Sequence, residues 1–393
     1  MSTPAVPLSA YAAEIYFRGL ADERPSLPTD PTRLEAAARE VLADGPYGYV
    51  AGGAGSGATM RANRAAFERY RLVPRMLRDT TIRNWSTTVL GTAMPAPLLL
   101  APVGVLSILH ADGELAVARA AADLGVPMVL SNAASHTIEE VAEATGDGPR
   151  WFQLYWPTED AVTVSLLSRA REAGYTALVV TLDTWTLGWR PDDLDGAYLP
   201  FLRGVGCAIP FSDPAFRAGL TTAPEEDLMA AVGRWVPMFT GTALCWDRLD
   251  LLREHWDGPI VLKGVQHVED ALHAVDAGMD GIIVSNHGGR QVDRAIGALE
   301  VLPGIVGAVD GRATVLFDSG IRTGADAAIA LALGADAVLI GRPYAYGLAL
   351  GGQDGVRHVV RSVLAELDLT LALSGYADLP SLRAAKDAVS TLA

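Results

Sequence analysis

From Pro97 onward the chain repeats one pattern, a short apolar run followed by an alanine-rich amphipathic stretch. The runs are Pro97–Gly104, Pro127–Ala133, Arg150–Tyr155, Ala177–Asp183, Pro259–Val265, Gly281–His287, Thr314–Gly320 and Ala337–Pro343. They are short, rich in β-branched residues and bounded by glycine, proline or polar groups, so each predicts a buried strand. The stretches between them, such as Gly113–Leu124, Ile138–Ala144, Ala161–Ala173, Val268–Ala277 and Gly324–Leu333, predict helices. Eight strands alternating with helices predict an α/β fold, a (β/α)8 TIM barrel over about residues 97–370. No GxGxxG follows the first strand, which argues against a doubly wound dinucleotide fold.

Two regions break the pattern. After the fourth strand, Thr184 to about Gly241 is rich in proline and poor in helical periodicity, which predicts a long lid loop over the catalytic face. Residues 1–84 form an N-terminal extension: an irregular, proline-containing arm to about residue 30, a helix over Pro31–Ala43 capped by Thr29 or Asp30, and a helix over Met60–Tyr70. Between these helices, Gly45-Pro46 ends the first, and Tyr47–Gly53 reads as an aromatic, glycine-rich loop that can place a tyrosine hydroxyl near a ligand. Trp85–Leu90 predicts a short strand before the barrel. The whole reads as one domain, residues 1–393.

Composition narrows the partners. A formal charge of −15 disfavours nucleic acid and anionic membrane surfaces. Two cysteines without paired spacing, Cys207 and Cys245, give no disulfide framework and no metal site. The N-terminus lacks a basic region followed by an apolar one, and the most apolar window, Pro97–Leu109, is too short to span a bilayer, so a cytoplasmic protein is expected.

Polar residues gather where the predicted strands end, the face on which barrel enzymes place their catalytic groups. The third strand ends in Gln153 and Tyr155, the fourth in Thr181 and Asp183, and the fifth carries Lys263. The sixth delivers Ser285 and His287 and continues through two glycines to Arg290. A base beside a fixed cation suits proton removal from an anionic substrate. The seventh ends Asp318-Ser319-Gly320 with Arg322 following, and the eighth ends Gly341-Arg342. That last pair of loops commonly binds phosphate, and the arginines would add charge, so a phosphorylated substrate or cofactor is expected. His136 is expected to cap a helix or face solvent.

Together these segments resemble the FMN-dependent 2-hydroxy acid oxidase and dehydrogenase family over about Tyr47 to Tyr376. SNHGGRQVD, Ser285–Asp293, matches the family signature. YVAGGAG at Tyr49–Gly55, VTLDTWTLGWRPDDL at Val180–Leu194, PFLRG at Pro200–Gly204, LFDSGIRTGAD at Leu316–Asp326 and GRPYAYGLALGG at Gly341–Gly352 are most similar to lactate 2-monooxygenases. The resemblance implies FMN as cofactor, a small 2-hydroxy acid and O2 as substrates, and a homotetramer or homo-octamer. By the same resemblance His287 is the base, accepting either the hydroxyl or the carbon proton. Asp183 supports it and raises its pKa, Arg190, Arg290 and Tyr49 hold the substrate carboxylate, and Tyr155 lies near the substrate hydroxyl. Lys263, Gln153, Thr181, Ser131, Ser285 and the backbone of Pro102, Val103 and Gly104 match flavin-ring contacts. Asp318, Ser319, Gly320, Arg322, Gly341 and Arg342 match ribityl and phosphate contacts. Gly104 stands where most members have alanine and lactate monooxygenases have glycine. A smaller group there changes the room for oxygen and product, and oxidative decarboxylation of the retained 2-oxo acid is expected. Ala133 and Leu187 replace larger side chains, so acids larger than lactate are expected to fit.

Overall fold

The eight strands are Leu98–Leu100 (β1), Met128–Ser131 (β2), Arg150–Leu154 (β3), Leu178–Thr181 (β4), Ile260–Val265 (β5), Gly281–Val284 (β6), Thr314–Phe317 (β7) and Ala337–Ile340 (β8). In a computed structural model, which describes residues 6–238 and 245–392, they form a closed barrel in which every neighbouring pair is parallel. Side chains alternate across each strand. Leu99, Val129, Trp151, Val179, Val261, Ile283, Leu316 and Leu339 fill the barrel, while Leu98, Leu100, Leu130, Val180 and Leu262 pack outward against the helices. Both faces are therefore apolar, which is why the strands read as continuous apolar runs.

The expected strand at Trp85–Leu90 is Thr87–Val89, and it pairs antiparallel with Thr92–Met94. This hairpin plugs the barrel: Val89 and Met94 join the interior cluster, and Trp151 Nε1 donates to Thr92 Oγ1 at 2.9 Å.

The N-terminal arm is more ordered than its sequence suggested. Ala10–Gly19 is a helix (α1), although none of its residues is buried. Pro31–Val41 (α2) starts on Asp30, whose carboxylate accepts from Thr32 N and Arg33 N at 2.9 Å. Asp44–Ala51 (α3) corrects the loop expected at Tyr47–Gly53. Pro46 lies in the first turn of α3, where its missing N–H costs nothing, so it does not break the chain there. Ala58–Glu68 (α4) follows.

The arm is fastened at Asp368, a fully buried carboxylate in the helical stretch Arg342–Leu373, beyond the kink at Gly351-Gly352 that divides it. It accepts from Arg83 Nε at 2.5 Å, Trp85 Nε1 at 2.9 Å and Ser9 N at 2.9 Å. These bonds outweigh burial and pull its pKa down to about 2. Asp368→Asn leaves Arg83 without its counter-charge, and a loss of about 3 kcal/mol is expected, read as a fall in Tm. A depressed carboxyl stabilises most above its unfolded value, so this contribution is complete above about pH 4 and is lost as pH falls towards 2.

The segment after β4 is not the single long loop expected over residues 184–241. It folds as Pro191–Asp195, a turn at Pro200–Arg203, Ala208–Ser212, Pro214–Ala218 and Leu228–Met238, all helical. Four of these are too short for periodicity to register, and proline opens three of them. Residues 239–241 of the expected lid, and residues 1–5 of the extension, lie outside the described residues. Among the described residues no helix is long and apolar enough to cross a membrane.

Candidate active site

A cavity of about 220 Å³ opens where the strands end. Its chemistry centres on the turn after β6. His287, Gly288 and Gly289 have φ of 58°, 64° and 77°, three successive residues in the left-handed region. A side chain at Gly288 would come within 2.7 Å of the Arg342 guanidinium and would strain a backbone at φ of 64°, so glycine is favoured there. His287 has no such freedom, and its backbone is held by hydrogen bonds. Its N–H donates to Ser285 Oγ at 3.1 Å, and the flanking Asn286 and Gly288 N–H groups donate to Ser319 Oγ at 3.1 and 3.0 Å.

The His287 ring meets Asp183, whose Oδ1 lies 2.8 Å from Nδ1. Thr184 Oγ1 donates to the same carboxylate oxygen at 2.9 Å. Burial alone would raise the Asp183 pKa, but His287, Lys263 and the Thr184 hydroxyl pull it down to about 2. The His287 pKa is lowered, first by burial, with Lys263 and Arg190 adding to the effect and Asp183 opposing it. Asp183 does raise the imidazole pKa as expected, but the net direction is the reverse. At neutral pH the pair is carboxylate and neutral imidazole, with the Nδ1 proton on the Asp183 side and Nε2 left as an acceptor.

Two arginines lie beside this base. Arg290 donates to Gly52 O at 2.9 Å and stands 5.2 Å over the Tyr49 ring. Burial, with Arg190 and Arg342 nearby, lowers its pKa to about 9. A guanidinium stays protonated, so this is a site whose surroundings disfavour a cation and where an anion would be welcome. Arg190 is buried and donates through Nε to Arg290 O at 3.1 Å. Burial raises the Tyr49 phenol and pushes Tyr155 up to about 12, so both remain hydrogen-bond donors.

Lys263, on β5, donates to Ser285 Oγ at 3.0 Å and lies 3.2 Å from Asp318 Oδ2. Burial opposes its charge, but Asp318 and Asp183 outweigh burial and raise its pKa. Just after β7, Ser319 and Gly320 have φ of 81° and 108°, which turns the backbone sharply. Arg342 donates to Val50 O, Gly288 O and Gly52 O at 2.8–2.9 Å, and Arg322 to Ile321 O at 3.1 Å. Burial lowers the pKa of both, that of Arg342 to about 10. Neither forms an ion pair among the described residues: the partners of both are neutral, backbone carbonyls and, for Arg342, also Met60 Sδ at 3.7 Å.

Tyr49, Tyr155, Arg190, Lys263, His287 and Arg290 therefore share one cavity, as do Pro102, Val103, Gly104, Asp318, Ser319, Gly320, Arg322, Gly341 and Arg342. Asp183, Ser131, Gln153, Thr181 and Ser285 stand behind this lining. Ser131 Oγ and Asn132 N donate to Gln153 Oε1 at 3.1 and 3.3 Å, and Thr181 is aligned with Lys263 across β4 and β5. Gln153 Nε2 is fully buried with no partner among the described residues.

The match to known proteins covers the same ground. The family model described as FMN-dependent dehydrogenase matches residues 38–388. The chain belongs to this family. An FMN-dependent alpha-hydroxy acid dehydrogenase of Penicillium citrinum is 49% identical over 376 residues, 95% of this chain and 94% of its relative. An L-lactate oxidase of Lysinibacillus sphaericus is 44% identical over 350 residues, 89% of this chain and 90% of that one. A solved structure of mandelate oxidase with (S)-4-hydroxymandelic acid superposes with a TM-score of 0.82 at 39% identity, covering 93% of this chain and 99% of that one.

The FMN-dependent dehydrogenase is an enzyme whose cofactor is FMN, and the residues fit that group. Arg322 and Arg342 offer charge to a phosphate, the Gln153 amide offers an unused donor, and Lys263 offers a buried cation.

Two expectations change. His136 neither caps a helix nor stands free: Thr137 caps Ile138–Thr145, while His136 Nδ1 lies 2.7 Å from Glu114 Oε2. Fully buried Glu114 also accepts from Leu106 N at 3.0 Å and Ser135 N at 3.1 Å, which binds the loop after β1 to the loop after β2. Gly104 does not simply leave room. A Cβ there would lie 2.9 Å from Ala133 O and 3.1 Å from Ala133 Cβ, so the glycine lets these two loops close on each other. Gly104→Ala is expected to cost about 1–3 kcal/mol through overpacking, visible as a lower Tm. An unchanged Tm would mean the Ala133 backbone yields freely.

The sequence did not single out the cavity wall supplied by the insertion. Leu199, Phe201, Leu202 and Trp235 line it together with Ala133 and Leu187. Phe201 stacks at 4.9 Å from Trp235 and meets Tyr49 edge-on at 6.3 Å.

Proposed function

We propose that this chain works as one FMN-dependent domain that oxidises an L-2-hydroxy acid with O2, on a substrate whose side chain is apolar and larger than methyl. The observation that carries the reading is the pairing of His287 with Asp183 where His287, Arg190 and Arg290 line a single cavity. Arg190 and Arg290 take the carboxylate, with the Tyr49 hydroxyl beside them. Tyr155 remains protonated and donates to the substrate hydroxyl oxygen. His287 Nε2 accepts a proton, and Asp183 holds the imidazolium that results. FMN supplies the acceptor for the two electrons released.

Pro102, Val103, Gly104, Ser131, Gln153, Thr181, Lys263 and Ser285 are assigned to its ring. Asp318, Ser319, Gly320, Arg322, Gly341 and Arg342 are assigned to its ribityl phosphate. Lys263, kept charged by Asp318 and Asp183, offsets negative charge that the ring gains.

The apolar wall of Leu187, Leu199, Phe201, Leu202 and Trp235 supports a larger substituent, as do the names of the mandelate oxidase structures. Higher kcat/KM for 2-hydroxyoctanoate or mandelate than for lactate is expected, and the reverse order counts against it.

A second reading concerns the product. The wall built by the insertion favours retention of the 2-oxo acid, whose oxidative decarboxylation by the hydrogen peroxide formed from O2 would give an acid one carbon shorter, CO2 and water. The packing use of Gly104 removes one argument for that course, and free release would give the 2-oxo acid with hydrogen peroxide. Aerobic turnover with product analysis separates the two: the shortened acid without peroxide supports retention, and the 2-oxo acid with peroxide supports release.

A further inference from the structure

Gln291 follows Arg290 directly, and its carboxamide spans the gap between the His287 turn and the first residues of the insertion. Its Nε2 donates to Asp183 O at 2.7 Å and to Thr186 O at 2.9 Å. Its Oε1 accepts from the Arg190 guanidinium and, at 3.4 Å, from Gly188 N. All four bonds reach into the eight residues from Asp183 to Arg190 that follow β4. The backbones press together at the same place: a Cβ on Gly188 would lie 2.5 Å from Gln291 O and 2.7 Å from Arg290 O. This short segment begins with the carboxylate that partners His287 and ends with a cation of the cavity. One side chain therefore grips both of its ends.

We propose that Gln291 is the positioning residue for Arg190, holding that guanidinium in place for the substrate carboxylate without neutralising it. The proposal rests on the 2-hydroxy acid reading above. Its physical basis is the choice of an amide. Arg190 is buried, and its nearest carboxylate oxygen, Asp193 Oδ2, lies 3.9 Å away. The groups that fix its direction, the Gln291 carboxamide and the Arg290 carbonyl, are neutral. The charge of Arg190 thus stays available to an incoming anion. A glutamate of the same length would reach the same nitrogen, form a charge-assisted bond and compete with that anion. It would also lose the donor that holds Asp183 O and Thr186 O.

The test compares Gln291→Glu and Gln291→Met with the wild type, all loaded with FMN. Three quantities are measured: kcat, KM for the 2-hydroxy acid, and the Kd of the corresponding 2-oxo acid from the perturbation of flavin absorbance. In the glutamate variant KM and Kd are expected to rise together by about tenfold to a hundredfold, the range commanded by one charge-assisted hydrogen bond. The change in kcat is expected to be smaller than the change in KM. The methionine variant removes the grip without adding charge, and both constants are expected to rise by less than in the glutamate variant. A merely structural residue would lower Tm in both variants and leave KM and Kd at their wild-type values, and that outcome overturns the proposal. If either variant fails to fold, the other still decides, because each predicts weaker anion binding. A wild type that turns over no 2-hydroxy acid sinks the proposed function and this inference with it; an active wild type with unmoved constants in the variants sinks the inference alone.

Discussion

His287→Asn is expected to bind FMN and unfold at a temperature close to the wild type while losing about 10²–10⁴-fold in kcat, the range associated with a positioned general base. The expectation follows from the local geometry. The ring is anchored through Nδ1 to Asp183 at 2.8 Å, which directs the tautomer and leaves Nε2 as the acceptor. Asparagine can adopt the left-handed backbone that φ of 58° imposes, so the turn survives while the base is removed. Asp183→Asn is expected to impair turnover as well, because an amide can no longer stabilise the imidazolium. The pH profile gives an independent check. Burial holds the His287 pKa below its ordinary value, so the acid limb of kcat/KM should fall below about pH 6.5. Below that limb the imidazole is protonated and cannot accept; above it the base is ready. Full activity of His287→Asn in steady-state kinetics would remove the base from its proposed role.

Arg290→Met is expected to lower kcat/KM by about 10²–10³-fold, carried mainly by KM, as truncation of one partner of a buried charge pair does. Its Tm is not expected to fall in proportion. Burial, with Arg190 and Arg342 nearby, lowers the pKa of the guanidinium to about 9, and it donates to a backbone carbonyl, Gly52 O. Such a cation costs the apo protein and gains from an anionic ligand. Losing it should therefore hurt binding more than folding. Parallel thermal unfolding and kinetics distinguish this from a structural arginine, which would lose Tm first.

The barrel was legible because buried parallel strands leave continuous apolar runs, and because the cavity residues stand where those runs end. The cavity lining at Lys263, His287, Arg290 and Arg342 follows from that placement, whereas Tyr49, on α3, was implied only by the family resemblance. Other features were invisible for physical reasons. Pro46 reads as a breaker in sequence, and only the start of α3 shows it in a first turn. Four of the helical pieces of the insertion, such as Pro214–Ala218, are too short for a period to show, and that helix depends on the Asp213 cap. The Glu114–His136 pair and the Gln291 amide join residues far apart in the chain, so no local pattern marks them. The net direction of the His287 pKa depends on burial, which a motif does not carry.

On the proposed function, an L-2-hydroxy acid delivers its electrons to FMN in this cavity. Anaerobic mixing of the FMN-loaded protein with excess L-2-hydroxy acid, followed by visible absorbance, tests it most directly. The flavin bands are expected to bleach with the L-enantiomer and to stay unchanged with the D-enantiomer, and His287→Asn is expected to slow the bleaching by about the factor lost in kcat. Flavin that stays oxidised in the wild type with lactate, 2-hydroxyoctanoate and mandelate alike, while FMN remains bound, would contradict it.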